Sequence, residues 1–264
     1  MNICELEGDD CEKRIIEDGL YTLFTGSFIC SIGLTSAEAA TLNVYGPGGP
    51  LGPMQECAQL FAQMKGITVN VTAGPESKWI EKANQDADLI FGGAEYMLTD
   101  FTLRHPGFVD NFTRTSLYDR ASGILVRKGN PKNIHTLQDL ARKDITIIDV
   151  NGAGQVGLWE DLAGVRDLLP AIQNNIAISV STSAEAIELW KNQPIFDAWI
   201  TYESWYYRLQ DVTDLVKLPE TEKLYRGTPI SVTYRSTNRE LALQFIQFLK
   251  SETGHAVFQK WGWK

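Results

Sequence analysis

Apolar and polar positions along this chain keep two different periods, and the switch between them recurs. Short apolar runs read as strands at 41–45, 67–72 and 88–91, with helical spacing between them at 54–64 and 76–84. Further strands are predicted at 124–126, 145–150, 176–180 and 198–201. Further helices are predicted at 136–141, 155–162, 183–191 and 240–251. Strands separated by helical stretches of this length predict βαβ units and a parallel sheet. No internal repeat or low-complexity linker interrupts the alternation.

In such sheets, ligands bind beyond the carboxyl ends of the strands. The loops at those ends are 46–53, 73–78, 92–95, 151–155 and 202–203, and most contain glycine or another small residue. The first is the most informative: residues 42–53 read LNVYGPGGPLGP, an apolar run that breaks into a glycine-rich turn before helical spacing resumes. A strand feeding a tight loop into a helix presents unpaired N–H groups at the positive end of a helix dipole. That arrangement holds an anion without a charged side chain. The pattern returns at 145–159, and two such ends facing each other would form a cleft.

Charge refines this picture. The chain of 264 residues carries a formal net charge of −9, but residues 1–39 hold eight acids against Lys13 and Arg14. The remainder has 25 acids and 22 bases, a net charge of −3, which gives no basic surface for nucleic acid or anionic membrane. An anionic ligand would depend on local dipoles and one or two bases. Residues 19–37 carry no charge, and 20–34 are mostly apolar, ahead of the A-x-A triplet Ala37-Glu38-Ala39. This predicts a secretory signal peptide over 1–39, with either an atypical acidic extension or a translation start downstream of Met1, and a periplasmic destination. Of four cysteines only Cys57 lies beyond that segment, so no disulfide framework is expected; it reads as a core residue of the 54–64 helix. The histidines His105, His135 and His255 are scattered singly, so no metal site and no cofactor are expected.

Seven stretches carry a resemblance that spans the chain in order: YGPGGP at 45–50, TAGPESKW at 72–79, ADLIFGGAE at 87–95, LVRKGNP at 125–131, VNGAGQVGLWE at 150–160, DAWITY at 197–202 and FQKWGW at 258–263. On these the sequence resembles type II periplasmic solute-binding proteins of ABC transporters, in the molybdate and sulfate branch, and is most similar to the accessory colonization factor C group. The resemblance implies an α/β, two-lobed periplasmic-binding-protein type II fold, each lobe a mostly parallel sheet flanked by helices, joined by two hinge crossings. Lobe one is then 41–120 plus 206–264 and lobe two 121–205, with crossings near 118–127 and 201–208. Helix 240–251 would pack on lobe one through Leu241, Phe245 and Phe248. It implies a monomeric, non-enzymatic protein that captures a small anion, a sulfate-like oxyanion or a small carboxylate, for an ABC transporter permease.

Carried over residue by residue, Gly48 and Gly49 match the loop where the family grips an oxyanion through backbone N–H groups. Ser77 falls in the second gripping loop, with Lys78 beside it as a possible balancing charge. Gly152, Ala153, Gly154 and Gln155 match the helix N-terminus of lobe two, and Tyr202 the tyrosine of the return strand. The first loop has glycines and prolines where the molybdate branch has small hydroxyl residues. Arg120 lies at the expected crossing, where a guanidinium can hold a carboxylate or sulfate through two parallel bonds; the alternative is an inter-lobe salt bridge to Glu95 or Glu203. Glu95 itself closes the loop 92–95 and counts with the ligand-binding residues. Trp79, Trp159 and Trp205 read as core, with Trp159 as a possible cleft wall.

Two other functions are consistent with parts of the sequence. One is a secreted interaction protein that uses the same fold in host colonisation. The other is a dinucleotide-binding oxidoreductase, because residues 152–157 read G-x-G-x-x-G after a strand. Against it, Asp149 and Asn151 interrupt the apolar approach, and no acid ends the next strand, which runs into Ser181-Thr182-Ser183. No nucleophile elbow or zinc-protease motif occurs.

Overall fold

The computed structural model describes residues 40–264; the expected signal peptide lies outside them. In chain order the elements are β1 (Thr41–Gly46), α1 (Leu51–Lys65), β2 (Thr68–Ala73), α2 (Ile80–Asp86), β3 (Leu89–Phe91), α3 (Glu95–Arg104) and β4 (Thr115–Arg127). They continue with β5 (Ile147–Val150), α4 (Leu158–Gly164), α5 (Leu169–Asn175), β6 (Ile176–Val180), α6 (Ser183–Asn192), β7 (Ala198–Tyr202), α7 (Tyr206–Leu209), β8 (Thr213–Lys217), β9 (Tyr225–Val232), α8 (Arg239–Leu249) and α9 (Glu252–Lys260).

The strands run in the order β2-β1-β3-β9-β4-β7-β5-β6, with β8 also paired to β4. The β1–β2, β1–β3, β5–β6 and β5–β7 pairs are parallel, as the βαβ pattern requires; every pair involving β4 or β9 is antiparallel. Strand β4 serves two sheets. Thr115 to Ala121 pair with β9, and Ser122 to Arg127 lie between β7 and β8. Each sheet has its own core. Side chains alternate along the inner strands, so Leu42, Val44, Leu89 and Phe91 meet α1, α8 and α9, whereas Tyr45 and Ile90 meet Trp79, Leu98 and Phe101 on the other face. Ile124, Ile147, Ile148, Trp190 and Trp199 centre the second core. The packing expected of the C-terminal helix is present: Phe61 packs, tilted, with ring centres 5.2 Å from Phe245 and 5.5 Å from Phe248. Cys57 is buried in the same core, and burial pushes its thiol up to about 12.

Several boundaries move for local reasons. The 76–84 helix is split into a 3-10 turn, Glu76–Lys78, and α2, with Trp79 between them at φ −132° and ψ −13°. The helix expected from 155 starts at Leu158, because Ala153, Gly154 and Gly157 are all left-handed. The 136–141 helix is a 3-10 turn at Gln138–Ala141. The return to the first sheet differs from the expected 201–208: β7, α7 and β8 stay with the second sheet, and the chain rejoins the first at β9. Ser122 ties the two crossings together. Its N–H donates to the Leu224 carbonyl at 2.8 Å, and its Oγ accepts the Leu224 N–H at 2.9 Å.

Candidate functional site

The loops beyond the carboxyl ends of β1, β2, β3, β5 and β6 converge on one cleft. Two cavities occupy it, of about 490 and 220 Å3, and both are bounded by Pro47, Gly74, Glu76, Met97 and Ala153. The larger also meets Gly48, Gly49, Ser181, Thr182, Ser183, Trp205 and Arg208. The smaller meets Trp79, Tyr96, Asp100 and Arg104. Among the described residues, no backbone or side-chain hydrogen bond uses the N–H of Gly48, Gly49, Ala153 or Gly154. The first pair precedes the 15-residue helix α1, so its donors lie at the positive end of a long dipole. Gly48 leaves open space where a side chain would sit.

Arg120 stands at the end of the first-sheet half of β4 and is buried, at 1% exposure. Its Nη2 donates to the Gly93 carbonyl, and its Cζ lies 4.1 Å from the centre of the Tyr202 ring. Its Nη1 lies 3.0 Å from the position a Cβ would take on Gly49, and Nη2 lies 3.3 Å from that of Gly154. A larger residue at either glycine would crowd the guanidinium, which therefore touches loops from both sheets. Its Nε has no partner. Burial pushes the guanidinium below its ordinary range, and Arg120 makes no ion pair among the described residues. The inter-lobe salt bridge is absent: Glu203 pairs with Lys223 at 3.0 Å, and Glu95 Oε1 accepts the Gly227 N–H at 2.6 Å.

The second glycine loop is built for a tight turn. A side chain on Gly152 would collide with the Ser181 carbonyl, so β5 and β6 can exit side by side only with glycine there. Positive φ at Ala153 (48°), Gly154 (89°) and Gly157 (70°) then delays α4. In a dinucleotide fold, the glycine loop leads straight into the helix that faces the pyrophosphate. Here Gly157 is a left-handed cap before a helix of only seven residues, so the G-x-G-x-x-G match does not build that site. Tyr202 Oη donates to the Gly154 carbonyl at 2.7 Å, and Gln155 Nε2 donates to Ser183 Oγ at 2.9 Å while its Oε1 is left without a partner.

The residues singled out from sequence therefore separate into groups. Gly48, Gly49 and Ala153 line the cleft. Arg120, Gly154, Gln155 and Tyr202 form the buried layer beneath it, and the Tyr202 hydroxyl is engaged by the loop it was expected to complement. Gly152 shapes the turn. Ser77 and Lys78 are exposed on the 3-10 turn and line neither cavity, and the Lys78 N–H is used by the Pro75 carbonyl at 2.9 Å. Glu95 supports β9. Trp205 is core, as expected, yet also walls the larger cavity, whereas Trp159 packs on the second core and reaches neither cavity. Sequence reasoning missed Met97, Tyr96, Arg208 and the hydroxyls of 181–183. The last follow β6 directly, so the same carboxyl-end logic would have found them. No group of three metal-ligating side chains occurs among the described residues, and no described helix is long and apolar enough to cross a membrane. His105 is held by Glu76 at 2.9 Å, and His255 stacks on Tyr118 at 4.5 Å.

Two α/β halves, joined by two crossings and gripping a cleft with strand-end loops, define the type II periplasmic binding fold. The profile of the bacterial extracellular solute-binding protein family matches residues 42–264, and the chain belongs to that family. The crystal structure of PEB3 bound to L-phospholactate is 31% identical, with a TM-score of 0.78, covering 84% of this chain and 99% of that one. Peb3 from Campylobacter jejuni matches at 31% identity, the same coverage and a TM-score of 0.76. The sulfate-binding protein SubI from Mycobacterium tuberculosis shares the fold at 19% identity, with a TM-score of 0.70 over 85% of this chain and 86% of that one. No curated protein matches the chain.

Proposed function

We propose that this chain is an exported, periplasmic and monomeric solute-binding protein, without enzymatic activity, that closes on a small anion and delivers it to an ABC transporter permease. The observation that carries the reading is Arg120: a guanidinium at 1% exposure, without a carboxylate partner, packed against glycines from both sheets. Leaving a buried cation uncompensated is costly, and a bound anion would remove that cost. The N–H groups of Gly48, Gly49, Ala153 and Gly154 would replace the anion's water shell. Neutral donors at short range make such a site selective for charge and shape, with no need for a basic surface. When the cleft opens, Arg120 Nη2 exchanges the Gly93 carbonyl for the ligand.

A sulfate-like oxyanion and a small carboxylate both satisfy these donors. The L-phospholactate bound by PEB3 puts phosphate-bearing carboxylates in the same class. Thermal-shift titration of the purified chain against such anions tests the reading. A ligand at a hundred times its dissociation constant should add about 2.7 kcal/mol of stability. A panel of sulfate, phosphate, phospholactate and simple carboxylates that leaves the melting temperature unmoved would reject an anion-binding role.

A further inference from the structure

The larger cavity contains a second guanidinium. Arg208, on α7, reaches across the cleft and donates from Nη1 to the Gly48 carbonyl at 2.9 Å, while its Cζ lies 4.8 Å from the centre of the Trp205 ring. An arginine has five N–H donors in a planar fork. Among the described residues only this one is used, and no carboxylate faces Arg208. Burial alone pushes its guanidinium below the ordinary range, with no acid opposing it. Arg208 and Arg120 thus both reach the Gly48–Gly49 pair: Arg208 donates to the first residue's carbonyl, and Arg120 Nη1 lies 3.0 Å from where a Cβ would sit on the second.

The two cations differ in access. Arg120 is sealed and lines neither cavity, whereas Arg208 borders the larger one. That cavity is larger than a bare oxyanion fills, and its wall is mainly apolar. At roughly 30 Å3 per water, its 490 Å3 has room for about sixteen waters, and a five-atom oxyanion fills a small part of that. Leu51, Met97, Ile187 and Trp205 form much of its wall and would gain nothing from a hydrated ion.

We infer that the ligand is an organic anion, with a charged head on the free side of the Arg208 fork and a carbon skeleton against Trp205, Met97 and Ile187. This rests on the anion-binding reading above and names its substrate class, with Arg208 as the residue that sets specificity.

Isothermal titration of the full chain with sodium sulfate, inorganic phosphate and L-phospholactate tests the inference. Phospholactate is expected to bind at least about tenfold more tightly than either inorganic ion. Removing a charge-assisted contact in Arg208→Gln should weaken phospholactate by about ten- to a hundredfold. Arg208→Lys, which keeps the charge and loses the fork, should fall between the two. Circular dichroism and melting temperature confirm that both variants fold. Sulfate binding as tight as phospholactate, or an Arg208→Gln variant that is folded and binds phospholactate like the parent, overturns the inference while leaving anion binding in place. If none of the three anions binds the parent, both the inference and the function it rests on are wrong.

Discussion

The two glycine loops look alike in sequence and behave differently in structure. At Pro47–Gly49 the chain passes almost at once into α1, a 15-residue helix, and Gly48 leaves space where a side chain would sit. At 152–157 the chain makes three left-handed steps before a helix of seven residues, and Gly152 is pressed against the Ser181 carbonyl. The first loop uses glycine to leave open space beside the larger cavity. The second uses glycine to let two strands exit side by side. Glycine therefore leaves room in one loop and sets chain geometry in the other.

The largest expected effect falls on the residue that both loops touch. Arg120→Met should weaken binding of every anion the parent takes by at least about a hundredfold, because the buried charge and its charge-assisted bond are lost. It should not lower the melting temperature of the ligand-free protein, since a buried, unpaired cation is replaced by an apolar chain of similar length. A drop in stability without a change in titrated affinity would show that Arg120 is architectural.

Gly152→Ala should destabilise by about 3 kcal/mol, through a forced shift of β5 against β6, seen as a lower urea midpoint. Tyr202→Phe should cost about 1.5 kcal/mol, because the buried Gly154 carbonyl loses its donor; an unchanged midpoint would mean that water replaces the hydroxyl. Next comes Asp149, just before the second loop, where burial holds the carboxyl above its ordinary range despite the Ser179 hydroxyl 2.5 Å away. The folded state keeps a proton that the unfolded chain releases, so stability falls as pH rises from about 3.9 through the raised value. Asp149→Asn should remove that slope and raise the melting temperature at pH 7, with the two proteins converging near pH 3. Gly48→Ala should be the smallest change, within about 0.5 kcal/mol. If it matched Gly152→Ala, the contrast between the loops would collapse.

The alternation of strands and helices was legible because apolar period and loop chemistry agree over β1 to β3 and over β5 to β7. Strand β9 was hidden by Gly227 and Pro229, residues that argue against an inner strand. Without β9 the return crossing was placed too early. Among the residues singled out, Gly48, Gly49 and Ala153 stand in loops that glycine spacing and the family resemblance both mark, and these line the cleft. Arg208 was not among them, because an arginine on a four-residue helix has no local signature, and only the crossing of the cleft brings it to Gly48. Ser77 and Lys78 were drawn in by an N-terminal helix pattern that the break at Trp79 turns outward.

One strand, β4, belongs to both sheets, and its partners change between Ala121 and Ser122. Arg120 is therefore next to the fulcrum of any rocking between the halves, while Arg208 reaches Gly48 from the second half. A cargo that neutralises Arg120 presses where leverage is least and grip is steadiest. One that engages Arg208 competes for the guanidinium that already ties α7 to Gly48.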